Sequence, residues 1–404
     1  MSARVRTAAV GISLLVVSYV LLGGLLGRTA SEGAYRQLGV FSEVLTRIQS
    51  EYVEKPDLHR VATGALRGLL ESLDPYSGYL SPREYAEYRE KKQNPEGGEV
   101  GLVLSKRFGL IQVVSVLPES PAARAGLGTR DILESLAGFS TREMSVQQAY
   151  VLLGGAPGTS VKVAVVRAAR AEPKSVDLVR ARLEPTRAFS GRLEEDIGYL
   201  KIASFSRGKA EEVAAALRQL RAQGAGKLVI DLRDCAAGNI PEAVETARLL
   251  LPRGIITYVE GQQYPREQFN AEPDKVLWSG PVTVLINNGT AGAAEILAAA
   301  VLENGRGEVI GQRSYGVSSV QELIPLDDGS ALILSVAKYY SPAGKAIQDN
   351  AVTPSVEVEP GEQASGESPP PRPQALPPPG DPVLLKALEL LRAQPASETV
   401  GKAA

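Results

Sequence analysis

Three apolar runs of strand length, each followed by a helical pattern, set the strongest limit on how this chain folds. "DIGYLKIASF" leads into "KAEEVAAALRQLRAQGAG", "KLVIDLRD" into "IPEAVETARLLLPRG", and "PVTVLINN" into "AGAAEILAAAVLENG". Strands joined through helices run parallel, because the crossover returns the chain to the same end of the sheet. Unbroken runs such as "KLVID" and "VTVLI" mark those strands as buried rather than half-exposed. This part of the chain is therefore an α/β layer, and the rest is read around it.

Upstream, Tyr35 to Tyr52 and Leu58 to Leu73 space their apolar residues by three and four, which predicts amphipathic helices. "SLDPYSGYLSPREYAEYRE" reads as a turn and then a helix with Pro82 in its first turn, and "NPEGG" (Asn94 to Gly98) as a hinge. From Glu99 to Arg167 the texture changes to short strands, "EVGLVL", "LIQVVSV", "DILESLAG" and "SVKVAVVR". Between them lie two short helices, "SPAARAG" and "SVQQAYVLLGG", each ending in glycine. Further on, "SSVQELIPLDDGSALILSVAKYY" predicts a hairpin turning at Asp328-Gly329. "PGEQASGESPPPRPQALPPPGDP" cannot form a core and reads as a tether. The final helix, "PVLLKALELLRA", is apolar enough to dock back on the body.

The N-terminus carries Arg4 and Arg6, no charge from Thr7 to Gly27, and then Arg28. As a helix, Ala8 to Leu26 spans about 28 Å, close to the ~30 Å of a bilayer core. With only a poor small-x-small cleavage site after it, in "GRTASEG", the segment reads as an uncleaved signal anchor, a cleaved signal peptide being the alternative. The preceding arginines keep the N-terminus inside and place the bulk on the periplasmic or extracytoplasmic side of the cell membrane. The expected division is 1–30 transmembrane anchor, 31–95 helical region, 96–170 small β-rich domain, 171–360 α/β core, 361–381 proline-rich linker, and 382–404 C-terminal helix and tail.

Composition removes several function classes. A net charge of −2 offers no field for nucleic acid. The single cysteine, Cys235, forbids an intrachain disulfide and a cysteine zinc cluster. The single histidine, His59, leaves little for a metal site or a histidine-dependent triad. No metal and no cofactor are expected.

Several segments together resemble the carboxyl-terminal processing, or tail-specific, serine proteases: "LDPYSGYLSPREY", "GYLKIASFS", "LVIDLR" and, most closely, "KYYSPAGKAIQDNAVTPSVEV". "GLVLSKRFGLIQVVSVLPESPAARAGLGTRDILESLAG" is similar to the first half of the PDZ domain that the family inserts ahead of its core. The resemblance implies an exported α/β (α+β) protease core with a PDZ domain and N-terminal helices that pair subunits into a homodimer. A PDZ domain binds a peptide's free carboxylate with loop N–H groups and takes the tail as an added strand beside a helix. Val100, Gly101, Leu102 and Val103 are the candidate carboxylate loop, and Val146 to Leu153 the groove's other wall. The alternative is that these glycines only make turns in a small β-sandwich.

The resemblance also implies a serine nucleophile in a Gly-Ser/Thr-Ala-Ser-Ala-Ser-Glu-Ile turn. It implies a lysine base in a Gly-Lys-Gly segment, with a glutamine soon after to orient that lysine. Here the turn reads Gly289-Thr290-Ala291-Gly292-Ala293-Ala294-Glu295-Ile296, which puts Gly292 at the nucleophile's place. The second segment is "GQRSYGVSSVQ", with Val317 at the lysine's place and Gln321 remaining. The family's Asn-Pro-Gly-Gly oxyanion turn is replaced by Cys235-Ala236-Ala237-Gly238, so Ala237 and Gly238 are vestigial. Glycine has nothing to acylate and valine accepts no proton, so no catalytic pair is intact. Val317 is expected to pack into the space that a lysine stem would fill.

Three readings follow. The first is a membrane-anchored, peptidase-like binding protein that captures C-terminal tails as a scaffold or regulator. The second is an active serine-type endopeptidase with displaced residues, for which Thr290, Ser318, Ser319, Lys338 and Lys345 are the candidates. The third keeps only the assembly surfaces.

Overall fold

A computed structural model describes residues 38–93, 97–107, 109–167, 170–359, 376–378 and 380–395. The expected membrane anchor and most of the proline-rich tether lie outside these residues. Among the described residues, no helix is long and apolar enough to cross a membrane.

The chain divides at Leu66/Arg67 into two units. In the first, residues 38–51 are helical, followed by the start of the helix Leu58–Glu71. Both lie where the spacing predicts helices.

The second unit holds three main sheets. The first is an antiparallel sheet of β1 (Leu102–Arg107), β2 (Leu110–Val116), β3 (Ile132–Leu136), β4 (Ser160–Arg167) and β5 (Arg170–Val179), paired in that order, with the short strand Phe139–Ser140 added to β3. Alternate residues Leu104, Val113, Leu133 and Val163 turn inward and meet Ala149 and Leu153 of helix α1 (Val146–Leu153). Helix α1 opens with a reciprocal cap in which Ser145 and Gln148 each bond the other's backbone N–H. Pairing of β5 with β4 carries this sheet to Val179, beyond the boundary expected at 170. The stretch "RAEPKSVD" hides its strand because charge and proline interrupt the apolar alternation.

The central sheet runs through β6 (Phe189–Arg192), β7 (Ile197–Lys201), β8 (Lys227–Asp231), β9 (Val282–Ile286), β10 (Glu308–Gly311) and β11 (Val356–Glu357), in that spatial order. Only the β6–β7 pair is antiparallel. Helices α2 (Lys209–Ala222), α3 (Ile240–Arg248) and α4 (Ala293–Glu303) contribute to the main core with Leu228, Ile230, Val284 and Ile286. The intervening Tyr199, Val229, Leu285 and Ile310 point the other way, onto Val383, Leu384, Ala387 and Leu388 of the final helix α5 (Pro382–Arg392). The expected docking of that helix is thus what completes the second face of the sheet.

An ion network fastens it there. Arg233 donates to both oxygens of buried Asp231 and, at 2.6 Å, to Asp381, the residue whose carboxylate also caps α5. Burial pushes the Asp231 carboxyl up, but the Arg233 and Lys201 charges outweigh it and hold the group well below its usual range.

The third sheet is antiparallel and joins Gly78–Leu80, Ala331–Tyr340, Ile255–Glu260 and Glu267–Asn270, with Ser319–Pro325 paired to Ala331–Tyr340. The predicted hairpin about Asp328-Gly329 supplies two of these strands, and Asp328 accepts from the Ser330 N–H at its turn.

Candidate functional site

Strand β9 ends at Ile286, and the chain turns through Asn287 to Gly292 before entering α4. Asn287 organises the turn by accepting the Gly289 and Asp234 N–H groups (3.0 and 2.9 Å) and donating to Asp234 Oδ1 (3.0 Å). Thr290 is fully buried; its hydroxyl donates to the Leu232 carbonyl (2.9 Å) and accepts the Asn287 N–H (3.0 Å). At Gly292 the backbone has φ 60° and ψ −118°, a conformation that side chains of L-residues rarely adopt.

Gly292 and Val317 face each other. A Cβ built on Gly292 would lie 3.6 Å from the Val317 carbonyl oxygen and 3.9 Å from that of Ala236. The three segments that the resemblance singles out therefore converge on one point, at the start of α4. Space for a side chain exists there. Val317 is half-buried. Its backbone N–H donates to Glu295 (2.9 Å).

Glu295 is the organising group of the site. It is fully buried on the first turn of α4, where its carboxylate accepts the N–H groups of Gly292 (2.9 Å), Gly316 (2.8 Å) and Val317 (2.9 Å) and the Ser314 hydroxyl. One carboxylate thus ties the turn carrying Gly292 to the loop carrying Val317. Burial raises its pKa to about 7, against the four hydrogen bonds that favour the charged form. Its spacing of three residues from the helix start is the sequence signal that marks such a capping acid.

The remaining candidates lie in settings without a proton-transfer pair. Gln321 is exposed and its amide donates to Ser319 Oγ (3.2 Å). The Ser318 hydroxyl reaches the Gly292 carbonyl at 3.5 Å, an acceptor that cannot activate it. Lys338 pairs with Asp349 (3.6 Å) and Lys345 with Glu303 (4.0 Å), so both are engaged near the surface. Cys235 is buried, which pushes its thiol up to about 12 and leaves it unreactive at neutral pH. His59 is exposed on its helix. Ala237 and Gly238 form a two-residue strand beside Ser204–Phe205, and a Cβ at Gly238 would meet the Phe205 backbone at 2.3 Å. Among the described residues no cluster of acids, histidine and cysteine is arranged to hold a metal.

The candidate carboxylate loop shows a second built feature. The Gly101 carbonyl accepts the Leu117 N–H (2.8 Å) and the Val100 carbonyl the Ala122 N–H (2.9 Å). Both carbonyls are turned into the domain. Among the described residues nothing accepts the Val100 and Gly101 N–H groups. The Leu117–Gly101 bond also makes Leu102 and Val116 a non-hydrogen-bonded pair, so the Leu102 N–H points away from β2. The Gly101 and Leu102 N–H groups, which oppose those carbonyls across their peptide planes, therefore face away from the domain interior, as anion recognition by backbone requires. Gly101, at φ +80°, could not be replaced cheaply, since a Cβ there would meet Ser120 Cβ at 2.1 Å.

Models of peptidase family S41 and of a PDZ domain match residues 196–358 and 112–167. The carboxy-terminal-processing protease of Bartonella bacilliformis is 31% identical over 350 residues, which cover 85% of this chain and 80% of that protein. The chain belongs to the carboxy-terminal processing protease family. Within that family, the processing protease CtpA of Bacillus subtilis is 30% identical over 88% of this chain and 76% of its own length. The solved photosystem II D1 C-terminal processing protease is 25% identical, with a TM-score of 0.65 over 79% of this chain and 92% of its own. The family membership accounts for the mixed α/β S41 fold, the PDZ domain and the helices ahead of it.

Proposed function

We propose that this family member is a silent peptidase that binds protein C-terminal tails, anchored by its N-terminal segment with its bulk outside the cytoplasm. The observation carrying the proposal is the pairing of Gly292 with Val317, at 3.6 Å from a Cβ position to a carbonyl oxygen, where the family resemblance calls for serine and lysine. Glu295 still ties the backbone of the two segments together, while neither position carries a side chain that could move a proton. The outward N–H groups of Gly101 and Leu102, with that of Val100 beside them, support tail capture as the remaining activity. A scaffold or regulator of envelope proteins is the role that fits.

The full-length chain in detergent, incubated with an unfolded protein ending in apolar residues, is expected to give no cleavage above the substrate's own background. It is expected at the same time to bind a peptide with a free carboxylate and to ignore the C-terminal amide. Turnover abolished by Thr290→Ala, Ser318→Ala or Ser319→Ala would overturn this reading in favour of an active endopeptidase with displaced residues. For the anchor, protease added outside intact spheroplasts is expected to remove the body of the protein. Its complete protection would refute the assigned orientation.

A further inference from the structure

The strand edge that a bound tail would use is already occupied by one of the chain's own side chains. Leu104, two residues along β1 from Leu102, turns its N–H to the same side, and that N–H donates to the Tyr150 hydroxyl at 2.8 Å. Tyr150 stands on α1, the opposite wall of the groove, so its side chain bridges the gap between the two walls. Tyr150 as a whole residue is 42% exposed, so the side chain sits at the surface of the domain while its hydroxyl is engaged at Leu104.

Strand geometry says what this contact imitates. A tail whose carboxylate sits on the Val100 to Leu102 donors runs antiparallel to β1 and pairs with every second residue. Its last residue bonds at Leu102, and the residue two before it must place its carbonyl oxygen on the Leu104 N–H. The Tyr150 hydroxyl holds that place. We infer that Tyr150 is an internal lid of the tail groove, and that a bound tail displaces its hydroxyl from Leu104 and puts a peptide carbonyl there instead. This inference rests on the tail-binding reading above.

The lid is a side chain rather than the helix, because α1 is held at both ends. At its start, buried Lys106 of β1 donates to the carbonyls of Met144 (2.9 Å) and Arg142 (3.2 Å). Along its outer side, Gln148 bonds Glu84 and the Val151 carbonyl accepts from Lys91, both partners lying on the helix Pro82–Gln93. Spreading the walls would break these bonds, whereas rotating one tyrosine breaks a single one. The lid thereby lowers the apparent affinity for tails by the weight of one hydrogen bond.

The test uses full-length protein in detergent and a fluorescein-labelled ten-residue peptide ending Leu-Ala-Ala, read by anisotropy with its C-terminal amide as control. Tyr150→Phe keeps the ring and removes the bond, and is expected to tighten binding of the free acid by about 3- to 10-fold. Hydrogen exchange at the Leu104 amide should quicken in the free variant and slow again when the peptide is added. Equal or weaker binding by Tyr150→Phe, with the wild type still preferring acid to amide, would overturn the lid and leave tail binding standing. No preference for the acid in either form would overturn tail binding and the lid together.

Discussion

Peptidase activity is expected to appear when Gly292→Ser and Val317→Lys are introduced together, and to stay absent with either change alone. A serine Cβ at position 292 meets only two carbonyl oxygens, at 3.6 and 3.9 Å, so no side chain need move. The backbone there (φ 60°, ψ −118°) costs a non-glycine residue about 1–3 kcal/mol, which a domain of this size tolerates. The serine needs a neutral amine nearby, and position 317 is half-buried beside it. Because nucleophile and base act as a unit, each single variant should sit at background. The double variant should cleave an unfolded substrate at least about 100-fold faster than the natural protein, a modest share of what such pairs supply. A folded, tail-binding double variant with no turnover would refute the two-residue account and put the block at the altered turn Cys235 to Gly238.

The second large effect concerns stability and pH. Glu295→Ala leaves three backbone N–H groups and a hydroxyl without their buried acceptor, and is expected to cost about 3–5 kcal/mol. The milder Glu295→Gln isolates the titration. With a folded pKa of about 7 against 4.5 for the free side chain, the native state holds an extra proton between those values. The stability this lends is full below the unfolded pKa and is lost as pH rises through the folded one. Wild-type stability relative to Glu295→Gln should therefore fall by about 3 kcal/mol between pH 4.5 and 8, and then level off. Urea denaturation at several pH values measures it. A difference that stays flat across that range would show that Glu295 remains ionised throughout.

Much of this molecule is legible from its sequence, for reasons that differ from element to element. Strands β8 and β9 announce themselves because a sheet covered on both faces demands unbroken apolar runs. The docking of α5 follows from an apolar stripe behind a tether that cannot itself pack. The hairpin Ile255–Glu260 with Glu267–Asn270 is different. Its pairing with Ala331–Tyr340 is set by a partner far along the chain, and no local pattern records that. The same holds for Glu295, whose value comes from N–H groups on the loop at Gly316 and Val317. Tyr150 reads as one more residue on a short helix until the β1 register shows which backbone group it meets. That Gly292 and Val317 stand where the resemblance implies a serine and a lysine was legible, since reading a motif needs no geometry. The half-burial of Val317 was not, because it depends on how a shorter side chain sits in a space framed by other segments.

The left-handed backbone at Gly292 also bears on ancestry. A glycine is at ease in that conformation, while any residue that could attack a substrate is strained by it. On the reading proposed above, a lineage that arrived at glycine here from serine would have shed that burden, and one that arrived at valine from lysine would have shed an amine in a half-dry setting. On that reading, going back would take two changes, neither of which returns any chemistry by itself. Selection would then have to make both changes in one stride, so descendants of a silent tail binder would be more readily pushed toward better grip on their partners than toward cutting them.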